Sequence, residues 1–340
     1  MQSASSSALP IPASANGAKP DPTAQIQHII DGIYEKYKNV NHGTVATYIP
    51  ELGKANPDHF GICLATADGR VFRAGDHDKE FTIQSMCKPF AFQMALEQCG
   101  IDEVFKRVGV EPSGDAFNSI ELDAKTSRPF NPMINAGAIA ISSLIKKTPV
   151  DAGIQEFVDR MSAAAGRQLQ IDQAVMRSET LTGNRNRAIA YLMRNFEIID
   201  EFLHESLQQY FAQCSVLVTC EDMAMMAATV ANMGRNPVSG KQVFDFQYLK
   251  YMLTVMFTCG LYDYAGGWAY EVGLPAKSGV AGGIFGVVNR QLGMSVYSPR
   301  LDAQGNSVRG ILACKELANH LGLHAFEFTN VGSSFMQWLL

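Results

Sequence analysis

One short segment of the sequence places a nucleophile and a base at helical spacing. Ser85 and Lys88 stand three residues apart, so on a helix they share one face. Proline is tolerated only near a helix start, so Pro89 predicts that the helix running to Gly100 begins close to Ser85. A lysine can take the serine proton if burial or a second cation lowers its pKa. Ser-x-x-Lys also occurs often by chance. The alternative interpretation is a serine that caps a helix and a lysine that is exposed to solvent.

A second motif, far along the chain, strengthens the catalytic interpretation. Residues 277–283 have the sequence Lys-Ser-Gly-Val-Ala-Gly-Gly. This lysine–serine–glycine order accompanies Ser-x-x-Lys in acyl-serine enzymes of the penicillin-recognising fold. The lysine adds positive potential, and the glycines let the backbone of an edge strand approach a substrate closely. A glycine-rich turn before a strand is the alternative, but the two motifs in this order favour a nucleophilic enzyme. At a helix start, the N–H of Ser85 and the helix dipole would also favour an oxyanion.

The composition narrows the class of protein. The 340 residues are 47% hydrophobic and 18% charged, and the formal net charge of -5 argues against a nucleic-acid binder. The longest nearly uncharged apolar run after the first residues, 134–145, is too short for a bilayer, which takes roughly 20 residues, so we expect no membrane span. Seven cysteines without a CxxC pair suit free thiols in a reducing cytoplasm. The histidines show no metal-ligand spacing, so we expect neither a metal nor a cofactor.

The order of the predicted elements indicates an α/β protein of the α+β type. Helical periodicity predicts a first helix with Thr23 as its N-cap, a helix starting near Thr219 and a last helix at 307–321. Turn residues at 67–69 and 290–291 predict two β-hairpins. Such a chain can build one antiparallel sheet from both of its ends, flanked by the N- and C-terminal helices, with a mainly helical lobe beside it. We expect the catalytic groove between the two lobes.

The composition and element pattern along the chain also predict its domain organisation. We predict a disordered tail at 1–22, a single catalytic domain at 23–325 and a C-terminal tail at 326–340. The domain divides into a sheet lobe, about 23–84 and 253–325, and a helical lobe, about 85–252. The C-terminal tail is apolar, and it either forms an interface or folds back on the core through Phe326, Phe328, Phe335, Trp338 and Leu339.

The motifs, taken together, resemble those of the serine-dependent glutaminases, a family with the β-lactamase/penicillin-binding-like fold. The resemblance covers nearly all of residues 25–325. It implies hydrolysis of the side-chain amide of L-glutamine to L-glutamate and ammonia through an acyl-enzyme on Ser85. The motifs that carry it are Ser85-Met86-Cys87-Lys88, residues 131–138 (Asn-Pro-Met-Ile-Asn-Ala-Gly-Ala), Ser178-Glu179, Asn184-Arg185-Asn186, Tyr210-Phe211, Gln213-Cys214-Ser215, Gly260-Leu261-Tyr262 and the lysine–glycine strand.

The resemblance also implies a role for each site residue. The catalytic set that it implies is Ser85, Lys88 and Tyr262, in which Tyr262 transfers protons. It implies that Glu179 receives the α-ammonium group of glutamine in a charge-assisted hydrogen bond. It implies an oxyanion hole made by the backbone N–H groups of Ser85 and Val280. The full substrate-binding set is Ser85, Asn135, Glu179, Asn186, Tyr210, Tyr262 and Val280.

Each of these side chains also has an ordinary structural interpretation. Asn135 and Asn186 suit loops or caps, because asparagine is frequent in both. Glu179 suits a solvated surface charge, and Tyr210 suits a core position. The ordered set of motifs is what favours the catalytic interpretation. The division of the general-base role between the lysine and the tyrosine is open, since coupled groups share their titration.

Two other classes of function share parts of this pattern. A penicillin-binding protein or β-lactamase normally carries Ser-x-Asn or Tyr-x-Asn between its lysine motifs, whereas the matches here, at 14–16 and 37–39, both precede Ser85. Nitrocefin turnover would favour that class. A non-catalytic amino-acid-binding or scaffolding protein does not need the nucleophile, the lysine or the tyrosine, and all three are present. Glutamine binding without ammonia release would favour it.

The predicted partners follow from the same argument. L-glutamine is the small-molecule substrate, and neither nucleic acid nor a membrane is expected as a partner. The resemblance implies a homo-oligomer, either a dimer or a tetramer, and we expect a cytoplasmic location. The sequence leaves open whether asparagine is accepted and whether phosphate or salt alters activity.

Overall fold

The computed structural model describes residues 21–114 and 120–327. Three 3₁₀ turns accompany the helices and strands of this part of the chain, at Leu52–Lys54, Gln84–Cys87 and Tyr262–Tyr264. The helices are α1 Pro22–Tyr37, α2 Lys88–Cys99, α3 Ile101–Arg107, α4 Asn135–Ile145, α5 Val150–Ala165, α6 Gln173–Thr182, α7 Asn184–Asn195, α8 Leu203–Cys214, α9 Cys220–Ala231, α10 Phe246–Cys259, α11 Ala265–Glu271 and α12 Val308–Leu321. The strands are β1 Gly61–Thr66, β2 Val71–Gly75, β3 Phe81–Thr82, β4 Gln170–Ile171, β5 Val216–Val218, β6 Ala276–Gly279, β7 Gly283–Val288 and β8 Leu292–Tyr297.

Strands from both ends of the chain form one antiparallel sheet. Its order is β2-β1-β8-β7-β6, and every neighbouring pair is antiparallel. β1 from the N-terminal part lies directly beside β8 from the C-terminal part, with Gly61 opposite Tyr297. Both predicted hairpins are present, since β1 pairs with β2 and β7 with β8. The prediction of an antiparallel sheet built from both chain ends is therefore confirmed.

The two faces of this sheet pack against different helices. Successive side chains of a strand point to opposite faces, and β1 shows this alternation clearly. Ile62 and Leu64 belong to the core shared with α1 and α12. Cys63 and Ala65 belong to the core shared with α9 and the helical part of the chain. The sheet is thus covered on one face by the first and last helices, as predicted, and on the other by α9.

α9 lies unusually close to the sheet. A Cβ atom added to Gly293 of β8 would lie 2.2 Å from the backbone nitrogen of Ala228 in α9. The helix starts with a capping box, in which Thr219 and Asp222 bond each other's backbone N–H. The predicted start near Thr219 is confirmed. A glycine in β8 lets the helix backbone rest directly on the strand.

Three local features differ from the sequence-based expectations. Asp21, not Thr23, caps α1, because its Oδ1 accepts from the N–H of Thr23 at 3.0 Å. Ser85 lies in a 3₁₀ turn, and the α-helix itself begins at Lys88. A small second sheet, ordered β3-β5-β4, joins the strand before Ser85 to the helical block and was not predicted. Strands of two or three residues carry no periodic signal, which explains why the sequence did not reveal them.

The predicted tails lie largely outside the described residues. This applies to residues 1–20 and 328–340, including Phe328, Phe335, Trp338 and Leu339. Among the helices that are described, none combines the length and the apolar character needed to span a bilayer. Within the same residues, no three His, Cys, Asp or Glu side chains are grouped as metal ligands.

The close contact between α9 and β8 leads to a prediction about the stability of a Gly293 variant. We expect Gly293→Ala to lower the free energy of unfolding by about 1–3 kcal/mol, because the new methyl group must push the helix away from the sheet. Gly266→Ala is the matched control, since a Cβ there would meet nothing within 4 Å. Urea unfolding midpoints compare the two variants. Equal midpoints would show that α9 does not depend on this close approach.

Candidate active site

Ser85 lies in a tight connection between a strand and a helix. The 3₁₀ turn that holds it follows β3 and runs directly into α2. Gln84, just before it, has φ 49°, a left-handed conformation that is strained for a residue with a side chain. The first hydrogen bond of the turn runs from the N–H of Met86 to the carbonyl of Ile83, at 3.1 Å. The N–H of Ser85 therefore precedes the helical hydrogen bonds and is available to a ligand.

Lys88 is a buried amine held by oxygen acceptors. Its side chain is 1% exposed, and its Nζ donates to the carbonyl of Met133 at 3.1 Å and to Oδ1 of Asn135 at 2.7 Å. Burial lowers the pKa of Lys88 to about 8, although the nearby Glu179 favours the charged form. At pH 7 about a tenth of the lysine is then neutral, so it can accept a proton.

Asn135 joins three helices at the base of the site. It is the first residue of α4, and its Oδ1 accepts from both Lys88 and the hydroxyl of Tyr210 in α8, at 3.2 Å. Its Nδ2 donates to Oδ1 of Asn186 in α7, at 3.1 Å. Two donors on the oxygen and one acceptor on the nitrogen fix the orientation of the amide. The three polar side chains and the lysine therefore form one connected network.

Glu179 supplies a carboxylate in a mostly buried position. It lies in α6, and its side chain is 6% exposed. Burial raises the pKa of Glu179 to about 7, while a hydrogen bond from Gln84 and the charge of Lys88 favour the ionised form. A carboxylate that has lost much of its water in this way binds a cationic group favourably.

Tyr262 connects the nucleophile to the edge of the sheet. It starts a 3₁₀ turn with φ 55°. Its hydroxyl is hydrogen-bonded to that of Ser85, and it lies 3.3 Å from the carbonyl of Ser278, to which it can donate. Burial raises the pKa of Tyr262 to about 12, and these two hydrogen bonds oppose the shift. The phenol is therefore protonated near neutral pH, in direct contact with the serine.

The lysine–glycine strand contributes backbone and positive charge. Val280 follows β6, and among the described residues its N–H donates to no backbone carbonyl. Lys277 is fully buried, and its Nζ donates to the carbonyls of Gly260 and Ser278 at 2.8 and 2.9 Å. The same Nζ lies 4.2 Å from the centroid of the Tyr262 ring. Burial and the charge of Lys88 lower the pKa of Lys277.

These groups surround one cavity of about 320 Å³. Lys88 and Tyr262 lie outside its lining but bond residues that form it, Asn135 and Ser85 respectively. All eight predicted site residues are therefore brought into one cluster. The six that line the cavity directly are Ser85, Asn135, Glu179, Asn186, Tyr210 and Val280.

The structure adds site residues that were not predicted. Tyr48 lines the cavity and lies 54% exposed in the loop before β1. Its hydroxyl donates to Oε1 of Gln84 at 3.2 Å, and Gln84 in turn contacts Glu179. Arg185 also lines the cavity. Arg185 stands between two motif residues, Asn184 and Asn186, and Gln84 directly precedes Ser85, so their positions beside the motifs were the signal for both. No spacing or periodicity in the sequence indicated Tyr48.

Comparisons with known proteins show which family the chain resembles and which solved structures share its fold. The family model named Glutaminase matches residues 43–326. A glutaminase of Trichormus variabilis is 52% identical over 303 residues, which cover 89% of this chain and 91% of the relative. A solved structure of the probable glutaminase ybaS superposes with a TM-score of 0.87 at 37% identity, covering 89% of this chain and 99% of that one. A structure of Mglu in its glutamate form gives a TM-score of 0.84 at 42% identity and covers 88% of this chain and 69% of that one.

The fold and the relatives lead to the same assignment. The antiparallel sheet with helices on both faces is the β-lactamase-like fold of these structural neighbours, so the predicted fold class is confirmed. The family match extends across both the sheet and the helical part of the chain. The chain belongs to the glutaminase family, and it is an amidohydrolase that converts glutamine to glutamate.

Proposed function

We propose that glutamine hydrolysis proceeds through a γ-glutamyl ester on Ser85. The observation that carries this proposal is the hydrogen bond between the hydroxyls of Ser85 and Tyr262. A buried lysine, Lys88, bonds Asn135 in the lining of the same cavity, and burial lowers its pKa to about 8. The serine oxygen attacks the side-chain amide carbon of glutamine while its proton passes to the Tyr262–Lys88 pair. The C–N bond then breaks as this proton is returned to the nitrogen, which leaves as ammonia. Water then attacks the ester, which releases glutamate and restores the serine.

The pKa values of Lys88 and Tyr262 support different roles for these two groups in proton transfer. With a pKa of about 8, Lys88 has a substantial neutral fraction near neutral pH. With a pKa of about 12, Tyr262 is almost entirely protonated there. We therefore assign the net proton acceptor to Lys88 and the transfer to and from Ser85 to Tyr262. A relay of this kind lets the phenol stay neutral before and after each transfer.

Two backbone N–H groups are suited to the oxyanion. The N–H of Ser85 precedes the helical hydrogen bonds, and that of Val280 has no backbone acceptor among the described residues. Both residues line the same cavity. Each such donor typically lowers the barrier by ~2.7–4 kcal/mol, because it bonds the oxygen more strongly as negative charge develops.

The polar end of the cavity is suited to the zwitterionic head of glutamine. The carboxylate of Glu179 faces the cavity and can bind the α-ammonium group. Asn135, Asn186 and Tyr210, connected by hydrogen bonds, can bind the remainder of the head, including its carboxylate. Mglu, 42% identical to this chain, has been solved in its glutamate form. That structure supports glutamate as the product held here.

We also propose a homo-oligomer, a dimer or a tetramer, in the cytoplasm. The seven cysteines are all free in the structure, and six of them are buried. Free thiols of this kind suit a reducing compartment. The oligomeric state rests on the family resemblance alone, and light scattering of the purified chain tests it.

The first prediction concerns the nucleophile. We expect Ser85→Ala to reduce ammonia release by roughly 10³-fold or more, because the variant lacks the oxygen on which the proposed ester forms. Glutamate affinity, measured by calorimetry, should stay close to the wild-type value since the head contacts lie elsewhere. Ser239→Ala, at an exposed serine, is the control. Wild-type turnover in the Ser85 variant would disprove the acyl-enzyme.

The second prediction concerns the ammonium partner. We expect Glu179→Gln to weaken glutamine binding by about 10- to 100-fold, which corresponds to the ~1.5–3 kcal/mol of a hydrogen bond to a charged group. A glutamine analogue that lacks the α-amino group provides the matched comparison. Wild-type enzyme should discriminate strongly against it, and the variant should not. Equal discrimination by both proteins would remove Glu179 from this role.

The third prediction concerns pH. Because the pKa of Glu179 is raised to about 7, its carboxylate is mostly protonated below pH 7 and ionised above it. Glutamine affinity of the Ser85→Ala protein should therefore increase as the pH rises from 6 to 8. The increase should vanish when Glu179→Gln is added to the same protein. In the wild type, the maximal rate should rise further as Lys88 loses its proton near pH 8. A pH-independent affinity would contradict the assignment.

A further inference from the structure

Two cysteine thiols are in contact beside the catalytic serine. Cys87 ends the 3₁₀ turn that contains Ser85, and Cys214 is the last residue of α8. Their sulfur atoms are 3.9 Å apart, although the two positions are separated by 127 residues in the sequence. Both side chains are buried, and both thiols are free. The fold therefore holds two reduced thiols against each other, next to a site whose proton transfers use neither of them.

Cys214 connects this pair to the active-site cavity. Its side chain lines the same cavity of about 320 Å³ as Ser85 and Glu179. A water molecule takes up about 30 Å³ in the liquid, so the cavity has room for a molecule as small as hydrogen peroxide. Cys87 lies outside the lining but contacts Cys214. A thiol that meets the oxidant and a second thiol in contact with it are the two parts that disulfide formation needs.

A bond between the two sulfurs changes the geometry of the turn. The S–S bond is about 2.05 Å long, so the sulfurs must approach each other by about 1.9 Å from their present separation. The part that side-chain rotation does not supply must come from the backbone of the turn or of α8. Cys87 and Cys214 belong to one hydrophobic core, in which close packing opposes independent movements. Disulfide formation therefore displaces the turn that positions Ser85.

We propose that Cys87 and Cys214 form an oxidation site, at which hydrogen peroxide that enters the active-site cavity produces a disulfide and reversibly inactivates the enzyme. Ser85 precedes Cys87 by two residues, and Lys88 follows it directly. The disulfide therefore shifts the nucleophile relative to Tyr262 and the amine relative to its acceptors. A misplacement of about 1 Å can reduce the rate of a positioned reaction by about 10²-fold.

The oxidation takes place in two steps. The thiolate of Cys214 attacks one oxygen of the peroxide, and the O–O bond breaks. The hydroxide that leaves takes up the proton lost by the thiol, so water forms and Cys214 becomes a sulfenic acid. The sulfur of Cys87 then attacks that of Cys214, the S–O bond breaks, and the leaving hydroxide takes the proton of the Cys87 thiol. Two thiols are oxidised to one disulfide, and one peroxide is reduced to two waters.

The surroundings of Cys214 make this reaction slow. The hydrogen bond with Cys87 and burial raise the pKa of Cys214, whereas the charge of Lys88 opposes the shift. Only the thiolate attacks the peroxide, so a raised pKa lowers the rate near neutral pH. The site therefore responds to sustained oxidation. An amino acid bound in the cavity excludes the peroxide from Cys214 and slows the reaction further.

Ammonia release after peroxide treatment tests this proposal. We expect the wild-type protein, treated with hydrogen peroxide and then freed of it by catalase, to lose activity by roughly 10-fold or more. Dithiothreitol should restore the activity, and saturating L-glutamate during the treatment should slow the loss several-fold. Peptide mapping of the inactive protein by mass spectrometry should find Cys87 joined to Cys214. The mapping does not depend on whether Ser85 forms an ester, so failure of this proposal is distinguishable from failure of the acyl-enzyme.

Two alanine variants separate this pair from the other thiols. Cys214→Ala removes the thiol that meets the peroxide, so it should keep most of its own untreated activity through the same treatment. Cys99→Ala is the matched control, because Cys99 is the most exposed of the seven thiols and does not line the cavity. This control should lose activity as the wild type does. Each activity is expressed relative to the same variant before treatment.

Several results would overturn the proposal. One is an oxidised wild-type protein that carries the Cys87–Cys214 disulfide and remains fully active. Another is inactivation without this disulfide, or inactivation that dithiothreitol does not reverse. Equal sensitivity of Cys214→Ala, or resistance of Cys99→Ala, would assign the inactivation to another group. Inactivation at an unchanged rate in saturating glutamate would exclude the cavity as the route of the peroxide. If Cys214→Ala does not fold, the mapping of the wild-type protein still decides the question.

Discussion

The buried amine of Lys88 is the constraint on which the rest of the site depends. An amine that is 1% exposed needs oxygen acceptors, because an unpaired polar group in the interior is costly. The acceptors are the backbone carbonyl of Met133, which lies just before α4, and the side-chain Oδ1 of Asn135, which is the first residue of α4. The position of α4 relative to α2 is thus tied to the lysine. The same burial lowers the pKa of Lys88 to about 8 and gives it the properties of a base.

Burial also shifts the pKa of Glu179, the carboxylate that lines the cavity, but in the opposite direction from that of Lys88. Burial raises the pKa of Glu179 to about 7, so the two groups are each shifted towards neutrality. Their mutual attraction opposes both shifts, since each charge favours the opposite one. An ammonium group bound at Glu179 would favour its ionised form further. Substrate binding would then convert the glutamate from a group near its pKa into a fixed negative charge.

The sequence predicted the features that depend on local chemistry. Ser85, Lys88 and Pro89 are close neighbours in the sequence, so local geometry relates them, although Ser85 lies in a 3₁₀ turn that leads into the helix of the other two. The hairpins and the cap at Thr219 likewise follow from neighbouring residues. The places of Asn135, Asn186 and the other head-binding side chains came from the family resemblance and not from spacing. Physical reasoning on one sequence cannot bring together residues that lie a hundred positions apart on different helices.

The features that the sequence did not reveal are those fixed by long-range contacts. Tyr48 lies in a loop before β1, and only the folded chain brings it to the cavity. The sheet formed by β3, β5 and β4 has strands of two or three residues, too short for a periodic pattern. Within this sheet the N–H of Ile83 donates to the carbonyl of Val216 at 2.8 Å, next to the strained turn of Ser85. A contact 133 positions away in the sequence therefore supports the nucleophile.

The backbone is strained on both sides of the Ser85–Tyr262 contact, and on both sides contacts with a β-sheet hold the strained turn in place. Gln84 and Tyr262 have φ values of 49° and 55°, and such conformations persist only where surrounding structure holds them. Ile83, beside Gln84, is held by the small sheet. Tyr262 follows Gly260, where an added Cβ would lie 1.7 Å from the carbonyl oxygen of Ala276 in β6. The turn is thus pressed against the strand that ends beside Val280. The hydrogen bond between the two hydroxyls is set by both sheets, and neither the helix of Lys88 nor the tyrosine turn could position it alone.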